Sequence, residues 1–448
     1  MKRKSAAPFF LVPVLLLGGC AGYAPLPLPA SPDTAAAPLS RTLAKNLSLA
    51  GLSISSALAQ GLTEADVMAL AVENDPDLKA ARRKAGVAKA QIFAAGLLPD
   101  PIIGGDVSRS SVHLTGYNLS VSEDLEAFVL RPSAEASARA NGRQADLAVL
   151  WQESQAAENA GELFFRLQED QRLQKSVSEA RRLVAQDYQF DQSNFQQRPA
   201  SLEKVSADLA VLADADAQLR SIRLDADAVR HRLDYLLGLS PQARPKFLDA
   251  TASPELSSPQ FHEAIAAMAR RRLDLLALQA GYESRQQDLR RAVLSQFPAP
   301  NFGLQWGHSN EEDVYSAGAA LSFPLPVLNG SRGAVAVLRA DRAALRQAYL
   351  ARLAQAQNQA DQIHSAARIM DKELDDLRAQ TAAMRSIASS AEQSFRNGEM
   401  SAGAYVGLET SLLKDTEEAI RLHASLEAAR LRLGLLLGLP LAMQENRK

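Results

Sequence analysis

A chain of 448 residues with 22% charged residues, 5% aromatics and a formal net charge of −2 has no global field favouring nucleic acid or an anionic surface. Its single cysteine, Cys20, excludes disulfides within the chain and any cysteine-rich metal site. Abundant alanine and few aromatics suit closely packed helices better than one thick globular core.

The N-terminus has the form of a signal sequence over residues 1–19. Lys2, Arg3 and Lys4 precede an apolar run from Phe9 to Leu17, which is too short to span a bilayer as a mature helix. Leu17-Gly18-Gly19-Cys20 resembles the bacterial lipobox, which makes Cys20 the expected lipidation site. Ala21 follows it where an aspartate would commonly retain such a protein at the inner membrane, so the resemblance implies the outer one. Residues 20–60, rich in Ala, Pro, Ser and Leu, read as an extended tether.

The folded region is expected from residue 61. Thr63 is an N-cap with Glu64 and Asp66 in the first turn. Asp75-Pro76 opens a second helix that runs to about Gly96, before Pro99 and Pro101. Two strands follow, around Ile102–Ser108 and across Tyr117, Leu119 and Val121, where apolar and polar residues alternate. From Ser133 to about Phe195 the chain contains no proline, and some 60 helical residues would make a rod of roughly 90 Å. Arg198-Pro199-Ala200-Ser201 turns the chain, and a return helix reaches Gly238.

That order occurs twice, over residues 61–250 and 251–440, with 441–448 as a tail. Val205, Asp208, Leu212, Ala215, Leu219, Ile222, Ala226, Val229, Leu233 and Leu236 follow the 3,4 spacing of a heptad seam. So do Tyr405, Leu408, Leu412, Asp415, Ala419, Leu422, Leu426, Ala429, Leu433 and Leu436. Both series end in Leu-Leu-Gly-Leu, at Leu236–Leu239 and Leu436–Leu439. A constant offset of 200 makes this an internally duplicated coiled-coil protein. In the second copy Ser258-Pro259 opens a short helix, and Arg271–Phe297 makes a longer one. Pro298 and Pro300 then precede sharper strands, with Phe302, Leu304 and Trp306 alternating in one and Tyr315, Leu321 and Phe323 in the next. Gly333 to about Arg396 is the second long helix, and Asn397–Gly403 the second turn.

Strands with one apolar and one polar face suit a membrane barrel, which needs about 9 to 11 residues per crossing. Tyr117, Leu119, Val121, Phe302, Leu304, Trp306, Tyr315, Leu321 and Phe323 are the candidates for its outer face. Four strands per chain cannot close a barrel, since about eight is the practical minimum. An open edge in lipid would cost several kcal/mol per backbone group. Several chains must therefore contribute, and three would give twelve strands.

The element order, the duplication, Phe395-Arg396-Asn397-Gly398 and the two Leu-Leu-Gly-Leu ends resemble the TolC family of outer membrane efflux proteins, over about residues 60–440. Phe323-Pro324-Leu325-Pro326, followed by Arg332-Gly333, is similar to its metal-cation efflux branch. The resemblance implies a mainly α fold: duplicated long coiled-coil hairpins forming a trimeric α-barrel tunnel, topped by a twelve-stranded β-barrel. It implies a passive conduit, with a periplasmic adaptor and an inner-membrane pump as partners and the outer membrane lipid as surroundings. The expected adaptor-facing tip comprises Arg198, Pro199, Ser201, Glu203, Gly398, Glu399 and Ser401. The acidic ring of some relatives falls here at Ala404 and Gly407, which are not acidic; Glu203, Glu399 and Glu409 are the candidates to supply negative charge, and each taken singly reads as a solvated surface glutamate. Asp208 and Asp415, the polar members of the seams, mark helix register or line the lumen. His113, His231, His262, His308, His364 and His423 lack ligand spacing and read as surface or loop residues. No phosphate loop or nucleophile elbow occurs, so neither an enzyme, a cofactor nor a nucleic-acid partner is expected. The alternative to a channel is a lipid-anchored periplasmic coiled-coil scaffold or adaptor without a pore.

Overall fold

The computed structural model describes residues 25–31, 61–109, 114–197, 202–249, 255–309, 313–324 and 330–439. Segment 1–19, Cys20, His113, Arg198, Pro199, Ser201 and the tail 441–448 lie outside the described residues. Within the expected tether, residues 25–31 are exposed and form neither helix nor strand. Residues 35–448 form the unit that holds every element described below.

The first half runs α1 (Glu64–Asn74), α2 (Pro76–Gly96), β1 (Ile102–Arg109), β2 (Leu114–Asp124), α3 (Glu126–Gln197) and α4 (Leu202–Leu236). The second runs α5 (Ser258–Arg271), α6 (Leu273–Leu294), β3 (Asn301–Ser309), β4 (Val314–Ser322), α7 (Arg332–Arg396) and α8 (Ala402–Leu436). At 72 and 65 residues, α3 and α7 extend about 108 and 98 Å at 1.5 Å per residue.

Local chemistry sets the boundaries. Thr63 Oγ1 accepts the Asp66 N–H at 3.2 Å, and the Thr63 N–H donates to Asp66 Oδ2 at 3.0 Å, a reciprocal pair that satisfies two orphan donors. Asp75 accepts the Asp77 N–H at 2.8 Å ahead of Pro76 at the first helical position. The two Leu-Leu-Gly-Leu ends are the same C-terminal device. Gly238 (φ +63°) and Gly438 (φ +68°) adopt the left-handed conformation. Leu239 N–H then bonds Asp234 O at 2.8 Å, and Leu439 N–H bonds Gly434 O at 3.0 Å, so the last carbonyls are satisfied. Phe395-Arg396-Asn397-Gly398 ends α7 likewise, with Gly398 at φ +77° and Glu399 N–H on Ser394 O at 2.8 Å.

Two boundaries differ from expectation. α3 begins at Glu126, before Pro132, which lies inside the helix. Proline at that point removes one backbone bond, but the Asp124 carboxylate accepts the Glu126 N–H at 2.8 Å and starts the helix as β2 ends. The second is a shift of bounds: α6 runs Leu273–Leu294, inside the expected Arg271–Phe297, and the break that separates it from α5 falls at Arg272. Arg272 is 1% exposed, and its guanidinium bonds both oxygens of Asp274 at 2.7 and 3.1 Å. It also lies over the Trp151 ring at 4.9 Å, so the buried charge is paired and shielded.

The long helices form a layer in the order α4–α3–α8–α7, and nearer the strands α2–α3–α6–α7. α1 is buried against Phe164 and Ala160 of α3, Leu233 of α4 and Leu431 of α8. Each fully buried leucine there contributes about 1.5–3 kcal/mol. Along α4 the expected heptad positions are the buried or half-buried ones, and the residues between them are mostly exposed. No described helix is long and apolar enough to cross a membrane.

Candidate functional site

The four strands form one antiparallel sheet in the order β1-β2-β3-β4. Directly opposed residues share a face, so the register sorts the side chains. Val107, Tyr117, His308 and Tyr315 make one row across the sheet, and Leu119, Trp306 and Ala317 the next. Ile103, Val121, Leu304 and Ala319 follow, then Phe302 with Leu321. Phe323 lies two residues beyond Leu321, just past the end of β4 at Ser322. All nine candidates for the outer face are exposed. The opposite face carries Gly104, Asp106, Asn118, Ser120, Gln305, Gly307, Ser316 and Gly318. An exposed apolar face backed by a polar one is the reverse of a soluble sheet packed on a core.

The sequence reading missed Ile103 and Val107 on this face, because Gly104-Gly105-Asp106 interrupts the alternation. Their partners Val121 and Tyr117 supply the missing signal. Among the described residues, β1 and β4 are each paired on one side only, and α4 and α7 likewise end the helical layer.

At the far end of α7 and α8, Asn397, Gly398, Glu399 and Ser401 are exposed. Ser401 caps α8 by accepting the Ala404 N–H at 3.3 Å. Phe395 and Tyr405 stack across the turn with ring centroids 5.1 Å apart and planes 5° apart, which fixes the two helices together. Burial raises the Tyr405 pKa, with Glu409 and Glu392 adding to it. Glu203 is exposed at the start of α4. Ala404 and Gly407 are exposed as well.

The two seam aspartates have local partners. Asp415 accepts from Gln380 Nε2 at 3.1 Å. Asp208 approaches Lys204 Nζ at 3.3 Å, and Lys204 also contacts Asp191 and lies 3.8 Å from Asp187. Sequence reasoning singled out Asp208 but missed Asp187, Asp191 and Lys204. Their meeting depends on how α3 and α4 are aligned, which neither helix specifies alone.

Three histidines depart from the surface reading. His308 lies within β3, stacked on Tyr315 at 4.2 Å. His364 is half-buried and stacks on Phe261 at 4.1 Å, and burial lowers its pKa, with Arg368 second. His423 is half-buried on α8, its pKa also lowered by burial. His231 and His262 are exposed.

No protein-family model matches the sequence, and no curated protein matches it either. Solved structures do match. The outer-membrane channel OprN superposes with a TM-score of 0.70 at 17% identity, over 92% of this chain and 98% of that one. The CmeC outer membrane channel of Campylobacter jejuni gives 0.70 at 14% identity, over 85% and 86%. The open MtrE outer membrane channel of Neisseria gonorrhoeae gives 0.63 at 15% identity, over 84% and 88%. The duplicated helix–strand–strand–rod order and the four-stranded sheet are thus features of a known architecture, and the chain has the fold of the TolC-type outer membrane channels.

Proposed function

We propose that three copies of this chain join edge to edge into an outer membrane channel, a passive conduit for substrates handed on by an inner-membrane transporter through a periplasmic adaptor. The observation that carries this reading is the sheet: apolar on one face, polar on the other, and unpaired at both edges. In lipid each unsatisfied backbone group costs several kcal/mol, and pairing β4 of one copy with β1 of the next removes both edges at once. Twelve strands then enclose a polar lumen, with Tyr117, Leu119, Val121, Phe302, Leu304, Trp306, Tyr315, Leu321 and Phe323 toward lipid. The same join brings α7 of one copy beside α4 of the next and continues the barrel as a helical tunnel.

The exposed residues Glu203, Gly398, Glu399 and Ser401 belong to the adaptor-facing tips in this proposal, together with Arg198, Pro199 and Ser201. Cys20 is the lipid attachment site. The similar structures described as outer membrane channels support the conduit. A scaffold without a pore would leave the apolar sheet face in water.

The test uses the mature protein in detergent. Unheated electrophoresis should show a trimer that collapses on boiling, and planar bilayers should show conductance. A monomer that is soluble without detergent and passes no ions would overturn the proposal in favour of the scaffold. For the tips, Glu399→Lys should reduce export in cells while leaving the trimer band unchanged.

A further inference from the structure

Near the lower end of the α3/α4 hairpin, four charged groups converge. Asp187 and Asp191 lie one turn apart on α3, and Lys204 and Asp208 one turn apart on α4. One carboxylate oxygen from each aspartate lies within 4.8 Å of the other two. Asp187 and Asp191 are each 8% exposed. Lys204 Nζ contacts Asp191 and stands 3.3 Å from Asp208 Oδ2 and 3.8 Å from Asp187 Oδ2. α8 closes the third side: a Cβ at Gly403 would sit 3.7 Å from both Asp187 Oδ2 and Lys204 Nζ.

Among the described residues, one ammonium faces three carboxylates. Arg181 and Arg182, a turn or so away on α3, are engaged by Asp216 and Glu179. Asp187 Oδ1 is buried and has no hydrogen-bond partner among the described residues. A buried carboxylate oxygen left without a donor is costly, and this one belongs to a group of excess negative charge.

We infer that Asp187, Asp191 and Asp208 form a divalent-cation site of the calcium class, in which Lys204 is the built-in competitor for the ion. All the donors are carboxylate oxygens, which suit a hard cation. Oxygens up to 4.8 Å apart fit around an ion with bonds of about 2.3–2.6 Å better than around magnesium at about 2.0–2.1 Å. Water completes the shell on the side where Lys204, 45% exposed, reaches solvent. When the ion enters, the ammonium swings out along α4 and the buried Asp187 carboxylate takes the ion as its partner. The ion then ties α3 to α4 beside the start of α8.

The experiment is calcium chloride titration and thermal melting of the full chain in detergent, after stripping with EDTA; neither readout needs a pore. The wild type should bind calcium. Lys204→Met should bind about tenfold or more tightly than wild type, because a positive charge in contact with the ligands is gone. Its melting temperature, lowered in EDTA, should recover with calcium chloride and not with sodium chloride of equal ionic strength. Adding Asp191→Asn to Lys204→Met should abolish both effects. Lys204→Met with no calcium heat and one melting temperature in EDTA and calcium would overturn the inference, as would binding that survives Asp191→Asn. If Lys204→Met does not fold, wild type and Asp187→Asn are compared directly: weaker calcium binding by Asp187→Asn supports the site, and equal heats refute it.

Discussion

The two return helices, α4 and α8, have the same length, the same heptad seam and the same C-terminal cap, yet they occupy different places. α4 ends the helical layer, packed mainly on α3 and touching α8 only from one side, where Gln218 Nε2 donates to Glu417 Oε2 at 2.8 Å, whereas α8 lies between α3 and α7. The sequence difference appears at matched positions. His231 and Arg220 of α4 are exposed, while Leu431 of α8 is buried and Ile420 half-buried. Tyr235 and Asp227 are exposed where Leu435 and Glu427 are buried. A repeated unit therefore keeps the seam to its own partner and changes the second face according to what lies beyond it. In α8 that is another helix of the same chain; in α4, on the proposal above, it is the next copy.

Exchanging matched residues tests this directly, and Leu431→His should have the largest effect. Leu431 is 0% exposed, so placing the α4 residue there should cost about 3–5 kcal/mol through lost packing and a buried imidazole, seen as a lower melting temperature. The shared cap should behave alike in both helices. Gly238→Ala and Gly438→Ala each place a Cβ on a left-handed residue, 3.1 Å from Asn74 or 3.2 Å from Arg271. Each should cost about 1–2 kcal/mol in the same melting assay.

A smaller effect comes from the side of α3 that meets α4. Burial pushes the Asp170 carboxyl from its ordinary 3.8 up to about 6, with Arg166 opposing and Asp225 adding. The folded value lies above the unfolded one, so the native state binds the extra proton between about pH 4 and 6. The favourable contribution is present at lower pH and is lost as pH rises through 6. Asp170→Asn should raise stability by about 1 kcal/mol at pH 7.5, with the gain vanishing near pH 4 in a pH series of melts.

The smallest effect on the chain itself belongs to Leu224→Ser on α4. Leu224 is 72% exposed, so the change should move single-chain stability by no more than about 0.5 kcal/mol. It should still lower the trimer fraction on unheated gels. If the trimer is unchanged, the second face of α4 is not an interface.

The seam of α4 was legible because a heptad pattern records one main partner, and for α4 that is α3. The same pattern in α8 registered only one of its two packed faces. Thr63, Asp75 and the strand alternation of Phe302, Leu304 and Trp306 could be read locally, since caps and pleats need only neighbouring residues. The start of α3 could not: Pro132 argued for a later boundary, and the earlier one depends on Asp124 at the end of β2. Arg272 is hidden for a similar reason: Asp274 is a local partner, but Trp151 and the Leu436 carbonyl come from α3 and α8. Among the candidate site residues, the outer-face set follows from alternation. The Asp187, Asp191 and Lys204 group needs the alignment of two helices.

The glycine caps also bear on how such a molecule is assembled. Gly238 rests against Asn74, where α1 ends, and Gly438 against Arg271, where α5 ends; each half fastens its last helix to its own first. The module of construction is thus the half-chain, and the closed assembly of three polypeptides proposed above would be a pseudo-sixfold ring. Its departures from sixfold symmetry lie in helix flanks such as Leu431 against His231, so those positions record which junctions are covalent and which are made by association.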